Sequence, residues 1–152
     1  MKYGLTGAPE DEVLAAAESY LHYLHGTNPL GLVYLTNMGA FGAERSATQI
    51  FHTWFADGSA AWDSVGESTA GPAPGFLAGG PNPSYDWDGC CPSGCGAGND
   101  CGAGRPTPPY GQPPQKSYLD CNDGGPQNSW SVTENSNGYQ IGYIRLLSKF
   151  VE

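Results

Sequence analysis

A long stretch without hydrophobic periodicity constrains the fold of this chain more than any other feature. From Asp57 to Pro126 the sequence is dense in Gly, Pro, Ser and Asn, and its apolar residues follow neither helical nor strand spacing. Loops of this length are uncommon in compact domains, and they are usually functional or disordered. The 4 Trp, 9 Tyr and 5 Phe of the chain argue against disorder. We therefore expect one segment, 1–152, with 57–126 as a loop region inside it.

Five cysteines all lie in this loop region, at Cys90, Cys91, Cys95, Cys101 and Cys121. A loop with little core is commonly stabilised by disulfides, which require an oxidising compartment. Zinc is the alternative, but it favours paired thiolates, and no second pair or nearby His completes the pair Cys91 and Cys95. The odd count predicts disulfides with one cysteine unpaired or bonded elsewhere, in a secreted, extracellular protein.

The charge of the chain excludes some classes of partner. The formal net charge is -9, from 15 acidic against 6 basic residues, so neither nucleic acid nor an anionic membrane is expected as a partner. No apolar stretch approaches the roughly 20 residues of a membrane span. The N-terminal sequence MKYGLTGAPEDE lacks the apolar core of a signal peptide. A neutral polymer is not repelled by such a chain.

Regular elements are predicted on both sides of the loop region. Pro9 to His25 has early acidic residues and helical apolar spacing, which predicts a helix. Residues 30–36 predict a strand or extended segment, and 47–55 a shorter second helix. Residues 129–151 predict a last helix that is apolar nearly all round from Tyr139 onward, so it should be buried. These few helices have too few partners for a full core, which predicts either an oligomer or a piece of something larger.

Four segments also resemble known motifs in their order along the chain. They read YLHGTNP at Tyr23–Pro29, FHTWFADGS at Phe51–Ser59, PGFLAGGPN at Pro74–Asn82, and YLD followed by WSVTENS at Tyr118–Asp120 and Trp130–Ser136. Together they resemble glycoside hydrolase family 9, the endoglucanase family with an (α/α)6-barrel catalytic domain. The resemblance implies a mainly α fold with long irregular loops, similar to the C-terminal helices of that barrel and incomplete in this chain.

The resemblance implies a role for Glu134 as the general acid. The expected reaction is hydrolysis of β-1,4-glucosidic bonds in cellulose or related β-glucans with inversion, which needs an acid and a base roughly 6.5–9.5 Å apart. The family's base belongs to an Asp-x-x-Asp motif near the start of the domain, and this sequence has no counterpart. Without the family motif, Glu134 would be interpreted as a helix-start glutamate stabilised by the helix dipole.

Substrate-binding residues are expected around this acid. His52 corresponds to the first histidine of a family His-His-Arg segment, which implies contacts to sugar hydroxyls; Trp54 stands where the family has arginine. Tyr85, Trp87 and Trp130, with Trp62, are candidate platforms for pyranose rings, because aromatic faces offer apolar area to sugar C–H groups. For each aromatic residue, packing inside the protein is an equal alternative.

Asp86 and Asp88 are possible replacement bases, although Asp-Gly in a Gly/Pro-rich run is ordinary turn chemistry. Asp120-Cys121-Asn122-Asp123-Gly124 has some similarity to a calcium loop but is one residue short of its spacing. We expect a turn there and no metal or cofactor, with calcium as the alternative.

Three classes of function therefore remain open. The first is a glycoside hydrolase that takes its base from a missing N-terminal segment, from another copy of the chain or from its own loop. The second is a non-catalytic carbohydrate-binding remnant that lacks the base, and the third is a cysteine-loop metal or interaction module.

Overall fold

The computed structural model describes residues 7–52, 57–85, 107–124 and 127–151. In these ranges there are two α-helices, α1 (Glu10–Leu24) and α2 (Asn137–Leu147), and a two-stranded sheet of β1 (Val33–Thr36) and β2 (Ser46–Ala47). Three short 3-10 helices span Gly39–Phe41, Pro114–Lys116 and Ser129–Ser131. Most of the described chain is irregular, so it is not clearly mainly α as the sequence predicted.

Helix α1 forms where the sequence predicts it. Pro9 holds the N-cap position, and three acidic residues occupy the first turn, where their negative charges interact favourably with the helix dipole. The helix ends as His25 N–H donates to the Leu21 carbonyl at 2.8 Å, followed by Gly26 with a φ of +106°. Leu21 is its one fully buried residue, so most of α1 faces away from the core of the described chain.

Strands β1 and β2 pair in parallel, with Val33 opposite Ser46 and Thr36 opposite Ala47. The strand predicted within 30–36 is thus confirmed at its C-terminal half. The connection between the strands contains the 3-10 helix Gly39–Phe41, and Ser46 Oγ accepts a hydrogen bond from Met38 N–H at 2.9 Å. A bridge from Leu35 to Leu77 extends β1 on its other side.

The second helix predicted at 47–55 is wrong for residues 47–52, and 53–56 lie outside the described residues. Ala47 belongs to β2, and the backbone N–H groups of Thr48 and Gln49 donate to the Asp120 carboxylate at 2.7 and 3.3 Å. Thr48 carbonyl accepts from Val65 N–H at 3.1 Å. The backbone groups that would bond to each other within a helix bond here to residues far away in the sequence.

Helix α2 is shorter and more exposed than predicted. It begins after Ser136, whose hydroxyl accepts from Tyr139 N–H at 3.1 Å as an N-cap. The expectation of a buried helix is wrong for the described chain, because Tyr139, Ile141 and Ile144 are 51%, 56% and 60% exposed. The apolar positions surround α2, but among the described residues only one face of it has neighbours.

The core lies between β1, the segment after Phe76 and the segment that precedes α2. Its buried members are Tyr34, Leu35, Leu77, Tyr85, Tyr118, Cys121 and Val132. At its margin His25 Nε2 and the Tyr143 hydroxyl are 2.9 Å apart, which joins the end of α1 to α2. None of the described helices is long and apolar enough to cross a membrane.

Candidate active site

The backbone that leads to Glu134 is buried and held by many hydrogen bonds. Ser129, Val132 and Thr133 have no exposed surface. The Thr133 hydroxyl lies 2.5 Å from the Cys121 carbonyl and 3.0 Å from the Ser129 carbonyl. Thr133 N–H donates to the Ser129 carbonyl at 2.7 Å. The residue immediately before Glu134 is therefore fixed in position.

Glu134 itself is exposed, between this buried segment and the N-cap of α2 at Ser136. The sequence predicted a helix start at Glu134, but α2 begins three residues later, at Asn137. A glutamate ahead of the N-cap lies outside the first turn, where dipole stabilisation is strongest. The helix-dipole interpretation of Glu134 thereby loses its structural basis, and the carboxyl points from a fixed backbone toward solvent.

Trp130, four residues before Glu134, contacts the segment that contains His52. Its ring meets the Phe51 ring edge-on, with 5.6 Å between centroids and 63° between planes. Trp130 remains 41% exposed, so part of its surface is free to contact a ligand. His52 follows Phe51 directly and is partly buried. The structure thus brings Trp130 against the residue next to His52, and Glu134 follows Trp130 by four residues along the chain.

Asp120 is a residue of this region that the sequence analysis missed. Its carboxylate accepts from Thr48 N–H and Thr48 Oγ1 at 2.7 Å each, from Gln49 N–H at 3.3 Å and from Tyr118 Oη at 3.4 Å. Burial raises the pKa of Asp120, and the hydrogen bonds from Thr48, Gln49 and Tyr118 oppose that rise. The sequence placed Asp120 in the family-like segment Tyr118–Asp120 and in a turn with calcium as the alternative, but gave its carboxylate no role in the site.

Asp120 connects the His52 side of this region to the Glu134 side. Thr48 precedes His52 by four residues, and Cys121, next to Asp120, receives the Thr133 hydroxyl on its carbonyl. In the segment Asp120–Gly124, where a turn was predicted with calcium as the alternative, the Asp120 carboxylate is thus used as an internal acceptor. The described residues contain no group of three or more His, Cys, Asp or Glu placed to hold a metal ion.

Tyr85 and Trp62, both predicted as sugar platforms, have opposite environments. Tyr85 is a buried core residue whose hydroxyl donates to the Gln127 carbonyl, so its ring packs inside the protein. Trp62 is 47% exposed. Packing is thus the role of Tyr85 in the structure, whereas Trp62 keeps an accessible surface.

Several predicted residues lie outside the described residues: Trp54, Asp86, Trp87, Asp88, Cys90, Cys91, Cys95 and Cys101. Cys121 is described, and it carries a buried free thiol that accepts a hydrogen bond from the Ser129 hydroxyl at 3.0 Å. Burial raises the pKa of Cys121 to about 11, so the thiol stays protonated at neutral pH. Disulfides among the other cysteines remain a prediction.

Comparison with protein families assigns the chain to the glycoside hydrolases. The model of Glycosyl hydrolase family 9 matches residues 2–147, nearly the whole length. The chain therefore belongs to glycosyl hydrolase family 9, and the resemblance found in its four segments is confirmed. No curated protein and no solved structure matches the chain.

Proposed function

We propose that this chain supplies the general acid, Glu134, for inverting hydrolysis of β-1,4-glucosidic bonds in cellulose or related β-glucans. Glu134 protonates the glycosidic oxygen as its bond to the anomeric carbon breaks, and a base on the opposite face activates the attacking water. The activity is that of an endo-β-1,4-glucanase. Membership of the family supports the reaction class, and the placement of Glu134 supports its role.

One observation carries the assignment of the acid. The residue before Glu134 is buried, whereas the side chain of Glu134 is exposed. Thr133 has no exposed surface, yet Glu134 is exposed one residue later. A general acid must be held within hydrogen-bond reach of the oxygen it protonates, so a fixed backbone with a solvent-facing side chain suits that task. The Trp130 ring, four residues earlier and 41% exposed, suits contact with a pyranose face.

We assign the base to none of the described residues of this chain. We propose three sources for it: Asp86 or Asp88 of the loop region, an N-terminal segment that carries the family's Asp-x-x-Asp motif, or a second copy of the chain. All three leave the acid where it is. The experiment for Glu134 must therefore work whether or not a base is present.

Azide provides such an experiment, because it attacks the anomeric carbon without deprotonation. With phenyl β-cellobioside, whose phenol is a poor leaving group, the C–O bond to phenol breaks, a C–N bond to azide forms, and Glu134 gives its proton to the leaving oxygen. We expect Glu134→Gln to lower the azide-dependent rate by about 100-fold, within the range for one general acid. Release of phenol and of cellobiosyl azide measures the rate.

Glu12→Gln is the matched control, since Glu12 is an exposed carboxylate on α1. It should retain the wild-type rate. Equal rates for wild type and Glu134→Gln would remove Glu134 from the mechanism. A wild-type chain inactive with and without azide would contradict catalysis by this chain.

Carbohydrate binding without hydrolysis is the second candidate, favoured by exposed aromatic side chains. Trp62, Tyr110 and Trp130 are each more than two-fifths exposed, at 47%, 45% and 41%. This function predicts saturable binding to cellulose without release of reducing ends, weakened by Trp130→Ala and Trp62→Ala. Hydrolysis that depends on Glu134 would contradict it.

A further inference from the structure

Residues 77–82, here called the strap, bond to the chain on both sides of Glu134. Ahead of the glutamate, Gly80 N–H donates to the Val132 carbonyl at 2.7 Å. Asn82 Nδ2 donates to both the carbonyl and the hydroxyl of Ser131, at 3.0 Å each. The strap therefore fixes two of the three residues that precede Glu134.

On the other side of Glu134, the strap is held by Gln140 in the first turn of α2. Leu77 N–H donates to Gln140 Oε1 at 3.0 Å, and Gln140 Nε2 donates to the Leu77 carbonyl at 2.9 Å. One side-chain amide thus satisfies both backbone groups of a buried residue, as a neighbouring strand would. Glu134 lies between the two contact points along the sequence.

The strap is itself anchored to the core. Leu77 bridges Leu35 of β1, and Ala78 N–H donates to the Tyr34 carbonyl at 2.9 Å. Asn82 N–H donates to the Ser117 carbonyl at 2.8 Å, while the Ser117 hydroxyl donates to the Asn82 carbonyl at 2.6 Å. Anchoring at both ends makes the strap a fixed reference for the backbone that it contacts.

Gly79 shows how closely the strap approaches Glu134. A Cβ atom at Gly79 would lie 3.0 Å from the Val132 carbonyl oxygen and 3.1 Å from the Glu134 carbonyl oxygen. Contacts this short with backbone atoms require the backbone to shift. Any side chain at position 79 would push on the peptide groups that direct Glu134.

We propose that the strap and Gln140 are positioning elements that set the direction of the Glu134 carboxyl toward the glycosidic oxygen. Neither provides the proton; both act through the backbone on either side of Glu134. This inference rests on the proposed role of Glu134 as the acid. It assigns a catalytic reason to the PGFLAGGPN segment, which otherwise serves only as a family resemblance.

Leaving-group dependence tests the proposal, because a poor leaving group needs the acid and a good one does not. The substrates are phenyl β-cellobioside, whose poor leaving group needs a proton, and 2,4-dinitrophenyl β-cellobioside, whose dinitrophenolate departs without one, both assayed with azide. We expect Gly79→Ala and Gln140→Met to lower kcat on the first substrate by about tenfold, since small misplacements of a catalytic group are costly. On the second substrate kcat should stay within about twofold of wild type, because no proton transfer assists that departure.

Gly142→Ala is the matched control, since a Cβ there meets nothing within 4 Å and lies on the same helix as Gln140. It should leave both rates unchanged, with circular dichroism confirming that every variant is folded. Equal losses on both substrates, no loss on either, or unfolding of both variants would overturn the positioning role. If Glu134→Gln itself shows no leaving-group dependence, the proposed function fails first, which separates the two failures.

Discussion

Two neighbouring regions of this molecule invert the usual distribution of side chains in opposite ways. The region 117–133 buries polar side chains: Ser117, Asn122, Asn128, Ser129 and Thr133 are all at most 3% exposed. Helix α2, which follows within a few residues, exposes apolar ones instead. Most soluble domains show neither pattern on this scale.

The difference shows which side chains find their partners within the described chain and which do not. The polar groups of the first region find partners in the described chain: Asp120 accepts from Thr48 N–H, the Thr133 hydroxyl donates to the Cys121 carbonyl, and the Ser117 hydroxyl donates to the Pro109 carbonyl. The outer face of α2 has no such partner among the described residues. Burial and hydrogen bonding are thus greatest in the residues just before Glu134 and decrease along α2.

Removal of the Asp120 carboxylate should destabilise the chain more than the other changes proposed below. Asp120→Ala leaves the Thr48 N–H, the Thr48 hydroxyl and the Gln49 N–H without their acceptor. We expect a loss of about 3 kcal/mol in the free energy of unfolding, because orphaned buried donors pay their desolvation cost. Chemical denaturation with urea measures it. Asp120→Asn, which keeps one acceptor oxygen, should lose clearly less; an equal loss would mean that the hydrogen bonds are not the cause.

The pH dependence of the same residue gives a smaller effect. Burial raises the pKa of Asp120 in the folded chain, so the carboxyl group binds a proton more tightly there than in the unfolded chain. The stability it contributes is fully present below its ordinary pKa and decreases as the pH rises through the folded pKa. Urea unfolding of wild type and Asp120→Asn between pH 4 and 7 should show the difference shifting in favour of wild type as the pH falls. A constant difference would contradict the raised pKa.

The smallest effect is expected on the outer face of α2. Ile144→Lys exchanges a 60% exposed side chain for a charged one of good helix propensity. The free energy of unfolding should change by no more than about 0.5 kcal/mol, as for other surface substitutions. Thermal unfolding of the chain checks this. A loss several times larger would show that this face is covered in solution and would remove the contrast between the two regions.

Elements with a local signal were predictable from the sequence, and those made by distant partners were not. Helix α1 has its acidic first turn and apolar spacing within its own residues, so its limits were correct within one residue. The helix expected at 47–55 failed because Asp120, more than seventy positions away, takes the amides of Thr48 and Gln49. Such pairing leaves no trace in local periodicity.

The residues of the candidate site also separate into those with a local sequence signal and those defined by distant partners. Glu134, His52 and Trp130 could be proposed from the sequence because they stand in motifs of a few residues each. The roles of Asp120 and Gln140 depend on which backbone groups they reach, and sequence spacing does not contain that information. Burial of Tyr85 was equally inaccessible, because an aromatic residue in a Gly-rich loop has the same local pattern on the surface and in the core.

The contact between His25 and Tyr143 has a consequence for how the chain is made. The two residues are 118 positions apart, and their bond joins the earliest described helix to the latest. On the ribosome α1 emerges before α2, and Tyr143 appears only after nearly all of the described chain has been synthesised. Closure of so long a loop is slow compared with helix formation. The contact between the two helices therefore forms late, after each helix can already have formed.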